Sequence, residues 1–224
     1  MKNKSNIVII TIIAIVAIAG IAAFAINRND GEMMDNNTSM ISDDKSSQST
    51  VLANKDSSGY KMFASVTGED YDRLFLANMI AHHQGAVDMA NLALTNAKHQ
   101  EVKDLATAIV SAQTKEIGDM TAWQKSWSYP ASSGEMMIDH SSMGMMDTNA
   151  GMMNDLNGKT GNEFDKAFLT QMMMHHQSAI DMASTGATNA YHQEVKDLTK
   201  GIITAQTKEI LQMRQWQKDW GYSS

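Results

Sequence analysis

Between Gly68 and Asn96 the inward positions return at alternating spacings of four and three. Phe75, Met79, His82, Ala86, Met89 and Ala93 make one stripe, and Leu76, Ile80, His83, Val87, Ala90 and Leu94 make a second beside it. Two adjoining stripes give the broad apolar face of a helix that belongs in a core. Asn96 suits a helix stop, and Ala97 to Gln100 is a link short enough to reverse the chain. The periodicity then resumes through Val102, Leu105, Ile109, Ala112, Glu116, Met120, Trp123 and Trp127, which predicts a returning helix. Pro130, the only proline, lies just past its end, where a residue without an amide N–H belongs.

The same pattern is written again 93 residues later. The register holds without a gap from Gly68/Gly161 to Tyr129/Tyr222, and well over half of the paired positions are identical. His82, His83, His99, Glu116, Met120, Trp123 and Trp127 return as His175, His176, His192, Glu209, Met213, Trp216 and Trp220, and Asn189 repeats the stop at Asn96. A repeat of this kind fixes architecture before propensity does. Each unit is a helical hairpin that cannot bury its inner face alone. Two of them predict an all-α fold, a four-helix bundle made of duplicated hairpins.

Outside the hairpins the pattern changes. Residues 7–26 are apolar except for Thr11 and Gly20, about the length that spans a bilayer core as a helix. Lys2 and Lys4 precede the run, and Asp30 and Glu32 follow it, so its charge asymmetry leaves the N-terminus in the cytoplasm and the body outside. Ala23-Phe24-Ala25 also has the form of a signal-peptide cleavage site. Anchor and signal readings agree on an extracytoplasmic body, and the length of the run favours the anchor. The expected organisation is therefore an anchor or signal at 1–26, a flexible polar stalk at 27–67, hairpin one at 68–129, a Met-rich connector at 130–160 and hairpin two at 161–224. A weaker duplication links Gly31-Glu32-Met33-Met34 to Gly134-Glu135-Met136-Met137, as the trace of an ancestral arm or as a coincidence of biased composition.

Composition narrows the chemistry. The chain has no cysteine, which excludes disulfides and thiolate metal sites, and 20 methionines in 224 residues, several times ordinary usage. A net charge of −7 with no basic stripe argues against nucleic acid. No nucleophile–base pair, phosphate-binding glycine loop or paired acid–base carboxylate stands out, so an enzyme is not expected.

Metal is the chemistry that remains. Helical spacing gathers Met79, His82, His83, Glu116 and Met120 at one height of the first hairpin, and Met172, His175, His176, Glu209 and Met213 in the second. Such a layer either sets helix register as a His–Glu hydrogen-bond network or binds metal. No histidine has a glutamate three residues before it, as di-iron bundles require; His82 and His175 have Met79 and Met172 there. Thioether in place of carboxylate shifts preference towards Cu(I), with Ag(I) as its analogue, while imidazole serves Cu(II) as well. In the connector, Met136, Met137, Met143, Met145, Met146, Met152 and Met153 surround His140 among Ser, Gly, Asp and Asn. With no periodicity evident and no apolar partners, these methionines read as soft ligands rather than core. His99 and His192, at the hairpin turns, read as solvated residues, and the tryptophans as aromatic plugs at the bundle ends.

The pattern Asp72, Phe75, Met79, His82-His83-Gln84, Asp88-Met89-Ala90, then Gln113, Glu116-Ile117, Met120 and Trp123 resembles the bacterial family called domain of unknown function 305. The second unit matches through Asp165, Phe168, Met172, His175, His176, Asp181, Met182, Gln206, Glu209, Ile210, Met213 and Trp216. The resemblance implies a ferritin-like bundle and kinship with CopM-like periplasmic proteins, which bind copper through methionine and histidine. It covers both hairpins and neither the anchor nor the methionine-bearing arms. The function it implies is extracytoplasmic sequestration or transfer of Cu(I), with a copper-donating or copper-accepting protein as partner. A ferritin-like metal-dependent oxidase and a structural module are the rivals.

Overall fold

A computed structural model describes residues 51–129 and 145–222, with residues 145–148 described by backbone alone. The expected anchor at 1–26, the stalk up to residue 50, and Met136, Met137, His140 and Met143 lie outside these residues. Seven helices follow in order: α1 Ser58–Ala64, α2 Glu69–Asn96, α3 Gln100–Ser126, α4 Met145–Leu156, α5 Gly161–Ala183, α6 Gly186–Asn189 and α7 Gln193–Asp219. The fold is all-α, with only two isolated backbone bridges and no strand among the described residues. No helix among them is long and apolar enough to cross a membrane.

The hairpins form where the periodicity places them. Helix α2 packs along α3, α5 along α7, and the two hairpins meet through α2 and α5. Gly68, entering α2, bridges Ala190, and Ala97, leaving α2, bridges Gly161, so α2 and α5 run antiparallel about a pseudo-two-fold axis. Glu69, Asp70 and Asp72 in the first turn of α2 complement the helix dipole. Two apolar clusters fill the interior. One is built around Phe164, Phe168, Met172 and Met213, the other around Phe63, Phe75, Met79 and Met120. Leu94, placed on the inner stripe by spacing, is instead 38% exposed on the last turn of α2.

Two segments expected to be loose are part of the fold. Residues 51–66 do not form a stalk. Ser57 caps α1 by accepting from the Tyr60 N–H, and Phe63 is fully buried. The second hairpin holds the segment: Thr185 Oγ1 and Asn189 Nδ2 each donate to the Phe63 carbonyl at 3.1 Å, and Asp181 Oδ1 accepts from the Asn54 N–H at 2.7 Å. One aromatic and a handful of side-chain anchors outweigh a polar composition. In the connector, residues 145–156 form α4 against α2 and α5, with Met152 and Leu156 buried in the first cluster. Phe63 and Leu156 stand 93 residues apart, so α1 and α4 extend the repeat.

The second copy also departs from the first. Where α2 is continuous, its counterpart breaks between Ala183 and Gly186. Ser184 Oγ donates back to the Ile180 carbonyl, and Thr185 turns to Phe63, so hydroxyls compete with the helical ladder at that point.

Candidate metal centre

Adjacent helical residues project about 100° apart, and the two His-His pairs use both directions. His83 Nε2 donates to Glu116 Oε2 on its own return helix at 2.6 Å, and His176 does the same with Glu209 at 2.6 Å. His82 points the other way, across the pseudo-two-fold axis, and lies over His175 with ring centroids 3.7 Å apart. Four imidazoles thus span the interface between the apolar clusters, with a glutamate at each outer end. His82 and His175 are 4% and 1% exposed, and His83 and His176 are fully buried.

Most of this layer is unsatisfied. Among the described residues, both ring nitrogens of His82 and of His175 lack a hydrogen-bond partner, as does Nδ1 of His83 and of His176. A buried polar atom left unpaired costs about 1–3 kcal/mol, so six of them make a layer that a bound ion or water would stabilise. Burial, reinforced by the neighbouring imidazoles His83 and His176, drives the pKa of His82 well below 6.5; burial and the facing His82 do the same to His175. Both rings are therefore neutral at physiological pH, the form that ligates metal.

The facing pair opens onto a cavity of about 340 Å³ flanked by α1 and α4. Met152 of α4, Met174 of α5, Asn149, Gln177 and Asp181 line it with the two histidines. Met152 is buried and Met174 is 56% exposed, so one thioether is inside and the other at the mouth. The cavity breaks the repeat: the positions 93 residues before Met152 and Met174 are Gly59 and Ala81. The two methionines that line the cavity therefore have no counterparts in the first copy. Among the described residues no three histidine or carboxylate side chains are grouped to hold a metal. The chemistry available here is imidazole and thioether, a soft donor set.

The predicted site residues divide accordingly. His82, His175 and Met152 meet at the cavity. His83, His176, Glu116 and Glu209 sit one step behind it as hydrogen-bonded pairs. Met79, Met120, Met172 and Met213 are fully buried in the apolar clusters and do not line the cavity. The single layer expected inside each hairpin is thus replaced by a layer shared between hairpins. Met153 packs partly buried against a cluster, and Met145 and Met146 occupy the first turn of α4. Met174, Asn149 and Asp181 went unassigned in the sequence; Met174 directly precedes His175 and was the one a donor count could have found.

His99 and His192 are not solvated turn residues. The Asp165 carboxylate, fully buried, accepts from the Lys98 and His99 backbone N–H groups at 3.0 Å each and from His99 Nδ1 at 2.6 Å. Asp72 holds Tyr191 and His192 in the same way from the other hairpin. The rings stack face to face on tryptophan, His99 on Trp220 at 3.8 Å and His192 on Trp127 at 3.7 Å. The aspartates fix the backbone N–H groups just ahead of α3 and α7, whose N-cap residues make no side-chain cap bond, and they tie each hairpin to the other.

The family model described as Domain of unknown function (DUF305) matches residues 25–91 and 72–217. The chain belongs to the DUF305 family. Among solved structures, CopM in its Cu(I)-bound form is 36% identical, with a TM-score of 0.54 over 66% of this chain and 96% of that one. CopM in Cu(II)-bound and Ag-bound forms matches at the same identity and TM-score. A DUF305 protein from Streptomyces coelicolor, named as secreted, is 25% identical with a TM-score of 0.57 over 66% of this chain and 91% of that one. A DUF305 fragment from Deinococcus radiodurans, at 24% identity and a TM-score of 0.56 over 64% of this chain and 92% of that one, shares the fold. No curated protein matches the chain.

Proposed function

We propose that this DUF305 protein is an extracytoplasmic binder of soft metal, Cu(I) and its analogue Ag(I), which it sequesters or passes to a partner protein. It does so as a ferritin-like four-helix bundle held to the membrane by residues 1–26. One observation supports the reading: two buried, neutral histidines, whose four ring nitrogens have no partner among the described residues, line a cavity together with two methionines. Imidazole nitrogen and thioether sulfur together favour a soft, low-charge ion over a hard one. The metal-bound forms of CopM support the same chemistry.

In this reading His82, His175, Met152 and Met174 form the inner site. Glu116 and Glu209 hold His83 and His176 behind it, and Met79, Met120, Met172 and Met213 supply polarizable packing on either side. Met136, Met137, His140, Met143, Met145, Met146 and Met153 form a capture segment that feeds ions to the inner site. The role is binding and transfer, not turnover.

Titration of the full-length, metal-stripped protein with Ag(I) against a competing thioether chelator tests this. Ag(I) should bind and raise Tm, since a ligand held by the native state alone stabilises it by about 2.7 kcal/mol at a hundredfold excess over Kd. Replacing the capture-segment methionines by isoleucine should lower the stoichiometry and leave the inner site. No binding, or binding with no change in Tm, would reduce the His layer to a structural device.

A further inference from the structure

The opposite side of the pseudo-two-fold axis carries a different set of donors. Gln113 and Glu116 stand three residues apart on α3, Gln206 and Glu209 three apart on α7, so each pair shares one helix face. The four line a cavity of about 20 Å³ between the two return helices, walled by Ile109 and Ile202. That volume holds about one water-sized sphere.

Its polar groups are not content as they stand. Gln113 and Gln206 are each 4% exposed, and the Oε1 atom of each has no hydrogen-bond partner among the described residues. Glu116 and Glu209 commit Oε2 to His83 and His176, which leaves a second carboxylate oxygen on each. No lysine or arginine lines the cavity. Two carboxylates and two amide side chains therefore line one small cavity, and no cationic side chain lines it with them. An anion would be repelled here. A soft ion finds no sulfur.

We infer that the α3–α7 cavity is a second metal site, one that takes a single hard divalent cation through Glu116, Glu209, Gln113 and Gln206. Carboxylate and amide oxygens are the donors such cations prefer. The small volume disfavours Mg²⁺, which keeps several of its own waters, and favours Ca²⁺ or Mn²⁺. The histidines behind the glutamates orient them, as outer partners of metal-ligating carboxylates do. The site is separate from the His82–His175 cavity and stands or falls independently of the soft-metal reading.

Mn²⁺ is the probe, because its EPR signal reports the free ion directly. Titrating full-length, chelator-stripped protein should show about one Mn²⁺ bound per chain, displaced by Ca²⁺ and little affected by Mg²⁺. The double variant Q113L/Q206L removes the two unpartnered oxygens without adding charge. It should fold with unchanged or higher Tm, keep its Ag(I) stoichiometry, and lose Mn²⁺ affinity by at least about tenfold. E116Q/E209Q should lose it as well. Mn²⁺ left free at millimolar concentration would overturn the inference, the cavity then holding water alone. Unchanged Mn²⁺ binding in Q113L/Q206L would overturn it equally, since the ion would sit elsewhere. Mn²⁺ bound without Ag(I), or the reverse, shows which of the two sites fails.

Discussion

His82 lies over His175 at a centroid separation of 3.7 Å, two residues from different hairpins that neither hydrogen-bond each other nor find another partner among the described residues. Everything proposed for the soft-metal site begins at that contact. It carries a cost in the metal-free protein, and the cost is measurable.

Replacing both rings by leucine, H82L/H175L, removes four unpartnered buried nitrogens and keeps an apolar side chain of similar volume. At about 1–3 kcal/mol for each unsatisfied group, offset in part by imperfect packing, the metal-free variant should gain on the order of 1–3 kcal/mol. The Ag(I)-dependent rise in Tm should vanish. Urea unfolding with and without Ag(I) reads both. A variant that is less stable without metal, yet still stabilised by Ag(I), would place the ligands elsewhere.

The same burial sets a pH dependence. His82 and His175 have folded-state pKa values well below 6.5, chiefly because burial penalises the imidazolium. Above about 6.5 both folded and unfolded chains hold these rings neutral, and they contribute no slope. Below it the unfolded chain takes up protons that the folded chain refuses, so stability falls as pH falls, until the lowered folded values are reached. Metal-free protein should therefore lose urea midpoint steadily from about pH 6.5 downward. H82L/H175L should show a shallower slope over the same window. Equal slopes would mean that these rings are solvated.

The repeat made the hairpins legible and hid what joins them. Identical units at a constant offset predict two helix pairs with the same inner stripes, and helices α2, α3, α5 and α7 follow. A repeat does not say which face one copy presents to the other. Spacing therefore placed His82, His83, Met79 and Glu116 in one layer of one hairpin, whereas His82 crosses to His175 and the methionine joins an apolar cluster. Helix α4 was concealed by its composition, although Met145 and Met152, and Met146 and Met153, stand seven residues apart, with Leu156 four beyond Met152. That is helical periodicity in a polar setting. Helix α1 gave less warning, because Phe63 is its one buried side chain and its other anchors are side chains of the distant second hairpin.

Asp72 and Asp165 should prove to be stability residues rather than ligands. Each buried carboxylate accepts two backbone N–H groups and one imidazole, and alanine would leave those donors without an acceptor. D72A or D165A should cost about 3–5 kcal/mol, the range for removing one partner of a buried charged network. Ag(I) stoichiometry of the fraction that remains folded should be unchanged. Asparagine, which keeps one acceptor oxygen, should recover part of the loss. Denaturant midpoints of the four single variants decide the matter, and a cost below about 1 kcal/mol would show that solvent replaces the clasp.

Gly186 and Thr199 form a compensated pair. At the corresponding positions of the first hairpin stand Ala93 and Ala106, both fully buried, so the second copy has moved volume from one helix to its neighbour. A Cβ at Gly186 would collide with the side chain of Thr199, which is itself fully buried and cannot swing into solvent. G186A alone should therefore destabilise by about 1–3 kcal/mol through overpacking. T199A alone should cost less, since it opens a small gap and removes a hydroxyl whose bond is to its own helix. Together, G186A/T199A recreates the alanine pair of the first copy, and the double variant should recover most of the G186A loss, a coupling of about 1 kcal/mol or more. Gly118, exposed on α3, supplies the control: a Cβ there would meet nothing within 4 Å, so G118A should gain about 0.5–1 kcal/mol from helix propensity alone. Thermal unfolding of the four variants separates packing from propensity. Strict additivity of G186A and T199A would show that the two positions do not share one space.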